Sequence, residues 1–146
     1  DALGLEDKAP YWEAARQLVN HALLYGWDET RGGLYDLGTL NADGSVTSGL
    51  KTMKVWWVQA EQLNVLLLLH ERFAKETPRY WEAFQKEWHW ISSFQIDPLH
   101  GGWWADVQKE GQPVIRNKAD CWTECYHQAR ALFNTSERLR QMANQQ

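Results

Sequence analysis

The sequence predicts an all-α protein built from two helical hairpins, with short β-hairpins in the connections. The tetrapeptide Tyr-Trp-Glu-Ala at 11–14 recurs at 80–83, and the same offset of 69 residues relates Asp28 to Asp97. Apolar residues recur every three or four positions in four long stretches. These stretches alternate between a one-sided apolar stripe and an almost uniformly apolar surface. The alternation favours outer helices that pack on inner ones, as in an αα-toroid.

The first helix is expected to begin at Pro10, which fits the first turn, and to end at Tyr25 before Gly26. The second is apolar nearly all round, which indicates an inner helix. In the fourth, we expect the apolar stripe to contain Trp122, Tyr126, Ala129 and Phe133. The predicted helices are, in order, 10–25, 54–73, 78–94 and 118–142.

The repeat predicts how the chain is organised. Its two copies, 11–73 and 80–142, each contain an outer helix, a Gly-Gly turn, two short strands around a polar turn, and an inner helix. Two hairpins cannot close a ring, and such units need neighbours to bury their apolar faces. We therefore expect residues 1–146 to be part of a larger domain, and the isolated chain to be inactive and to expose an apolar flank.

Composition narrows the classes of function. The 146 residues include ten Trp, five Tyr and four Phe, and the formal net charge is -4, so a nucleic-acid partner is not expected. The longest wholly apolar run, Val65–Leu69, is too short to cross a membrane. The only cysteines, Cys121 and Cys125, do not form the spread framework of a disulfide-rich scaffold, which favours a reduced, cytoplasmic setting.

Trp57 and Glu61 are candidates for a sugar site. Their i, i+4 spacing places both side chains on one face of the second predicted helix. The face of an indole can stack on the C–H face of a sugar ring, while a carboxylate accepts hydrogen bonds from its hydroxyl groups. The alternative is that Trp57 packs in the core and Glu61 is a solvated or salt-bridged side chain.

His127 is the candidate acid or base. The ordinary pKa of histidine is close to working pH, so a carboxylate neighbour or modest burial is enough to adjust it. Aligning Trp56 with Trp122 places Glu61 opposite His127 in successive inner helices. The alternative is a hydrogen-bonded core histidine without a catalytic role.

A metal site at Cys121, Cys125 and His127 is not expected. The two thiols share a helix face in the predicted fourth helix, but His127 lies about 200° further round. Structural zinc sites favour closely spaced cysteine pairs with a second pair far along the chain. We expect the thiols to fill the core, and no metal or other cofactor is assigned.

Three motifs together resemble the N-acylglucosamine 2-epimerase family, which includes cellobiose and mannobiose 2-epimerases and aldose-ketose isomerases. They are the segment Lys54–Glu61 (Lys-Val-Trp-Trp-Val-Gln-Ala-Glu), the segment Gly101–Trp103, and Trp122-x-x-x-Tyr126-His127-x-x-Arg130. The resemblance covers nearly the whole chain and corresponds to the C-terminal part of such enzymes. It implies a fragment of an (α/α)6 barrel, in which six helical hairpins surround a sugar site.

The resemblance also implies roles. His127 would be one of two catalytic histidines that move a proton at C2 of the sugar, with Glu61 close to the reacting centre. Trp57, Trp122 and Arg130 would bind the substrate. The second histidine would lie upstream of this chain. Where many relatives have Trp-Lys-x-Pro-Tyr-His-Asn, residues 122–128 read Trp-Thr-Glu-Cys-Tyr-His-Gln, so substrate preference is not carried over.

The leading interpretation is a sugar 2-epimerase or aldose-ketose isomerase that needs no cofactor. Its expected partner is a small-molecule sugar, without nucleic acid or membrane, and a homodimer is left open. The first alternative is a carbohydrate-binding or scaffold protein on the same fold. A weaker one is an (α/α)6 glycoside hydrolase or lyase, but a hydrolase uses two carboxylates across the scissile bond, and Glu61 has no obvious mate.

Overall fold

The computed structural model describes residues 4, 7–47, 53–115, 117–119, 121–123 and 125–144. Most of these residues form helices, which confirms the all-α class. The helices are α1 (Ala9–Tyr25), α2 (Trp56–Phe73), α3 (Arg79–Trp90), which continues in a π-helical turn (Ile91–Gln95), and α4 (Tyr126–Ala143). The strands are β1 (Thr39–Leu40), β2 (Val46–Thr47), β3 (Met53–Val55) and β4 (Asp106–Gln108).

Helix α2 is the inner helix at the centre of the molecule. It packs against both α3 and α4, which explains why its sequence is apolar on nearly every side. Its core side chains are fully buried: Ala60, Leu63, Leu66, Leu67 and Leu69. No helix among the described residues is long and apolar enough to span a membrane.

The strands form two small antiparallel pairs. β1 pairs with β2 through Thr39 opposite Thr47 and Leu40 opposite Val46. β3, which precedes α2, pairs with β4, which lies between the π-helical turn and α4, so this pair joins the two connections. Because Lys54 lies in β3, α2 begins at Trp56 and not at residue 54 as the sequence predicted.

The start of the fourth helix was predicted wrongly. α4 begins at Tyr126, eight residues after the predicted start. Lys118 instead lies in a loop, where its ammonium group donates to the Asp97 carboxylate and to the carbonyl oxygen of Gly101. These bonds hold the Lys118 segment against the turn at Asp97 and Gly101. The segment therefore does not form the start of α4.

The buried face of α4 also differs from the prediction. The expected stripe residues Trp122, Tyr126 and Phe133 are exposed, whereas Ala131 and Thr135 are the buried positions of the helix. The face turned toward α2 thus lies on another side of α4. The expectation that the thiols fill the core is wrong as well, because Cys121 and Cys125 are both exposed and free.

Each outer helix is followed by the same turn. In the first turn unit (Asp28, Gly32, Gly33 and Lys54), Lys54 Nζ lies 2.8 Å from Asp28 Oδ2 and 2.5 Å from the Gly32 carbonyl oxygen. Gly33 requires glycine, since its φ is +85° and a Cβ atom would lie 2.9 Å from Lys54 Cδ. The second turn unit (Asp97, Gly101, Gly102 and Lys118) repeats the lysine contacts.

Candidate functional site

The candidate site lies where the N-terminal parts of the two inner helices, α2 and α4, meet. Glu61 is in the second turn of α2, and His127 is in the first turn of α4. His127 Nδ1 is 2.5 Å from Glu61 Oε1. Each side chain is one-third exposed, so the packing of α2 on α4 joins the two groups while leaving them accessible to a ligand.

Arg130 extends this pair along the next turn of α4. Its Nη2 donates to the same Glu61 oxygen that faces His127. Its Nη1 donates to the Tyr126 hydroxyl at 2.9 Å, and its guanidinium carbon lies 4.6 Å from the centre of the Tyr126 ring. Glu61 therefore interacts with two cationic or ionisable partners, and Arg130 is held by groups of the protein itself.

These contacts fix the charge of the site. Partial burial opposes ionisation of Glu61, but hydrogen bonds from His127 and Arg130 outweigh it, and its pKa lies below the ordinary value. Glu61 is thus an ionised carboxylate at neutral pH. Because this carboxylate engages Nδ1, it orients the imidazole ring and directs Nε2 away from Glu61. Proton exchange with a ligand would then fall to Nε2.

Three aromatic rings surround His127. Trp56 is buried and meets the imidazole edge-on, with the ring centres 5.5 Å apart, and Tyr126 does so at 5.1 Å. Trp57 lies 6.0 Å away in a tilted arrangement, and 44% of it is exposed. Buried Trp56 thus packs on the histidine, while Trp57 offers an accessible indole beside it.

The structure brings together Trp57, Glu61, His127 and Arg130 among the residues singled out from sequence. Trp122 lies in the loop before α4 and is 83% exposed. Sequence reasoning missed the contacts of Trp56 and Tyr126 with His127, although both residues adjoin predicted site residues. Among the described residues, no three His, Cys, Asp or Glu side chains are grouped so as to hold a metal ion.

In this structure, outer helices pack on an inner layer that carries a histidine–carboxylate pair. This arrangement defines the class of protein as part of a toroid of helical hairpins. Comparison with known protein families identifies the family. The family model for N-acylglucosamine 2-epimerase (GlcNAc 2-epimerase) matches residues 3–131. The chain belongs to this family, as its motifs suggested.

Relatives and solved structures agree with this assignment. A D-mannose isomerase from Marinomonas mediterranea is 26% identical over 140 residues, which cover 94% of this chain and 34% of the relative. The structure of a cellobiose 2-epimerase from Spirochaeta thermophila is 30% identical with a TM-score of 0.64, covering 88% of this chain and 29% of that one. A sugar epimerase from a ruminal bacterium, 22% identical with a TM-score of 0.76, covers 93% of this chain and 33% of that one and supports the fold.

The predicted (α/α)6-barrel architecture is thereby confirmed. The chain spans about a third of the length of the relatives that it matches. It accounts for two of the six hairpins that such a barrel contains.

Proposed function

We propose that this chain forms part of the active site of a sugar 2-epimerase or aldose-ketose isomerase. The observation that carries the proposal is the 2.5 Å contact between His127 Nδ1 and Glu61 Oε1, beside the accessible indole of Trp57. Membership of the N-acylglucosamine 2-epimerase family supports it, as do relatives named D-mannose isomerase and cellobiose 2-epimerase.

The proposed reaction removes the proton at C2 of an open-chain sugar and returns a proton to carbon. The C2 hydrogen next to the carbonyl group is weakly acidic, and a base with a pKa near neutrality is suited to remove it. His127 Nε2 takes this proton, and the C–H electron pair forms an enediolate. Return of a proton to the opposite face of C2 gives the epimer. Return of a proton to C1, together with transfer of the O2 hydroxyl proton to O1, gives the ketose. The second histidine of this chemistry would lie upstream of the chain.

In this proposal Glu61 remains ionised and stabilises the imidazolium of His127. Trp57 and Trp122 stack on the sugar, since both offer exposed indole surface. Arg130 contributes to sugar binding, and its bond to Glu61 places its guanidinium beside the reacting groups. No metal or other cofactor is assigned to the reaction.

We place the protein in a reducing, cytoplasmic setting because Cys121 and Cys125 are free and exposed. Its partner is a small-molecule sugar. The net charge of -4 argues against nucleic acid.

The rival is a carbohydrate-binding or scaffold protein that uses Trp57 as a platform without proton transfer. Exchange of the C2 hydrogen separates the two, because a binding protein holds the sugar without breaking a C–H bond. The rival thus predicts sugar binding in deuterated solvent with no deuterium at C2.

The test compares His127→Asn with the unaltered protein in the natural-length polypeptide that contains this chain. Asn keeps a hydrogen-bonding side chain but cannot shuttle protons. Turnover and deuterium incorporation at C2 should fall by about two to four orders of magnitude, with sugar affinity much less affected. His89→Asn, an exposed change on α3, is the matched control and should retain activity. Exchange at the parent rate in His127→Asn would remove the proton-transfer role.

A further inference from the structure

Trp122 lies in the connection that leads into α4. It is 83% exposed, and it stands four residues before Tyr126, the first residue of that helix. The connection leaves the small sheet at Val114, whose backbone N–H group donates to the Asp106 carbonyl oxygen at 2.9 Å. The position of an exposed side chain follows the backbone that carries it, so the groups that fix this connection also set where the indole lies.

Lys118 fixes the connection four residues before Trp122. Its ammonium group donates to the Asp97 carboxylate and, at 2.9 Å, to the carbonyl oxygen of Gly101. The same group lies 4.4 Å from the centre of a Trp104 ring, a distance suited to a cation–π interaction. One lysine side chain is thus held by a carboxylate, a backbone carbonyl group and an aromatic ring.

The main partner of this lysine is itself held in place. Asp97 is 2% exposed, and its Oδ1 accepts hydrogen bonds from the backbone N–H groups of Leu99 and His100. On the other side of Trp122, Thr123 is only 6% exposed. The exposed indole therefore stands between an anchored lysine and a buried threonine.

The first hairpin has the same order of lysine and indole. Lys54 Nζ lies 2.8 Å from Asp28 Oδ2 and 2.5 Å from the Gly32 carbonyl oxygen. Trp57, which is 44% exposed, follows three residues later. Each of the two indoles that the proposed function assigns to the sugar thus follows, within four residues, a lysine bound by a turn unit.

We propose that Lys118 is a positioning residue that holds Trp122 where its indole can stack on the sugar. The proposal rests on the proposed function, which assigns Trp122 to sugar binding. Lys118 does not touch the sugar and acts through the backbone that joins it to Trp122. An indole that is already in position loses less conformational freedom on binding. Loss of the anchor should therefore weaken sugar binding and leave the proton transfer at His127 unaffected.

The first test measures KM and kcat of Lys118→Met in the natural-length polypeptide that contains this chain. The probes are D-mannose and cellobiose, the sugars in the names of two relatives. KM should rise about three- to tenfold, the effect of ordering one further side chain on binding, while kcat stays within about twofold. Lys109→Met is the matched control: Lys109 has a 47% exposed side chain beside Glu110, and its replacement should leave both constants unchanged.

A double-mutant cycle with Trp122→Ala shows whether the lysine acts through the indole. Trp122→Ala should itself raise KM, because it removes the stacking surface. In that background, Lys118→Met should change KM by less than about twofold. An equal rise in KM with and without the indole would overturn the proposal, and so would a fall in kcat at unchanged KM.

Fluorine NMR of the protein labelled with fluorotryptophan tests the anchor without a sugar. The signals of Trp122 and Trp57 are assigned by their loss in Trp122→Phe and Trp57→Phe. Lys118→Met should shift and narrow the Trp122 signal, because the connection is released, and leave the Trp57 signal unchanged. A Trp122 signal that does not respond to Lys118→Met would show that the lysine does not hold the indole.

The two measurements separate failure of this proposal from failure of the proposed function. If the unaltered protein exchanges the C2 hydrogen of neither probe, that result counts against the proposed function, and the Trp122 signal still decides whether Lys118 anchors the indole. If exchange occurs but Trp122→Ala leaves KM unchanged, the role of Lys118 in sugar binding is overturned.

Discussion

The two turn units make the same bonds in different environments. Asp28 Oδ1 accepts hydrogen bonds from the backbone N–H groups of Thr30 and Arg31. Asp97 Oδ1 likewise accepts hydrogen bonds from the backbone N–H groups of Leu99 and His100. Both lysines bridge their aspartate and a glycine carbonyl group. However, the Lys54 side chain is 0% exposed and the Lys118 side chain is 27% exposed.

The difference comes from the neighbouring helix. The first turn unit is covered by α3: Lys54 Nζ lies 3.5 Å from the centre of a Trp90 ring, and a Cβ atom on Gly32 would meet the Lys86 carbonyl oxygen at 2.5 Å. Around Gly101 and Gly102, a Cβ atom would have nothing within 4 Å. The same local sequence pattern thus holds a fully buried lysine where α3 covers it and a partly exposed lysine in the second turn unit.

The largest expected effect on stability is that of replacing Lys54, compared with the same change at Lys118. Lys54→Met leaves the charge of buried Asp28 without its ion-pair partner and should lower the free energy of unfolding by about 3–5 kcal/mol. Lys118→Met should cost a fraction of that, because the Lys118 side chain is 27% exposed and therefore keeps part of its hydration in the folded state. Urea unfolding at pH 7 and fixed protein concentration measures both. Equal losses would mean that burial does not distinguish the two turn units.

A smaller effect is expected from the second glycine of each turn. Gly102→Ala should cost about 1–2 kcal/mol, the penalty for a left-handed residue with a side chain, because φ is +72° and the space is open. Gly33→Ala carries the same penalty and adds contacts of 2.9 Å with Lys54 Cδ and 3.2 Å with Trp90 Cδ1. Its loss should exceed that of Gly102→Ala by about 1 kcal/mol or more. Thermal unfolding of the two variants compares them, and the reverse order would contradict the packing argument.

Glu87 makes the stability of the structure around the first turn unit depend on pH. Complete burial raises the pKa of its carboxyl group well above the ordinary value, and the positive charge of Lys54 opposes this only in part. The pKa of Glu87 is higher in the folded than in the unfolded state, so the free energy of unfolding is highest below the ordinary glutamate pKa. It falls as the pH rises toward the pKa of the folded state, by up to about 1.4 kcal/mol per pH unit. Glu87→Gln should therefore stabilise the chain at pH 7 and not at pH 4. A gain of the same size at both values in urea unfolding would exclude this titration.

The smallest expected effect concerns Tyr35, which donates to Asp28 Oδ2 at 3.0 Å. Burial, followed by the bond to Asp28, raises the pKa of its phenol to about 12. Because the pKa of Tyr35 is raised in the folded state, the stabilisation that its protonated hydroxyl provides is present below pH 10 and is lost as the pH passes 12. Absorbance at alkaline pH should show a late-ionising tyrosine that Tyr35→Phe removes, with a loss of stability of about 1 kcal/mol. An unchanged titration in Tyr35→Phe would assign the late ionisation elsewhere.

Part of the site could be predicted from sequence because its signals are local. The spacing of Trp57 and Glu61 on one helix face, and the alignment of two inner helices, were enough to relate Glu61 to His127. The partner of Arg130 could not be predicted in this way. Its guanidinium reaches Glu61, 69 residues earlier, and that contact exists only because α2 and α4 pack side by side.

The sequence by itself determined the helical class, the inner character of α2, the Gly-Gly turns and the family, since each depends on periodicity or on a short motif. The tertiary structure decided where α4 begins and which face it buries. Lys118 lies within a helical pattern, yet its bonds to Asp97 and Gly101 hold it in a loop. The structure also decided that Lys54 is buried while Lys118 is accessible. Burial depends on what packs against a segment, and the sequence of that segment does not contain its neighbours.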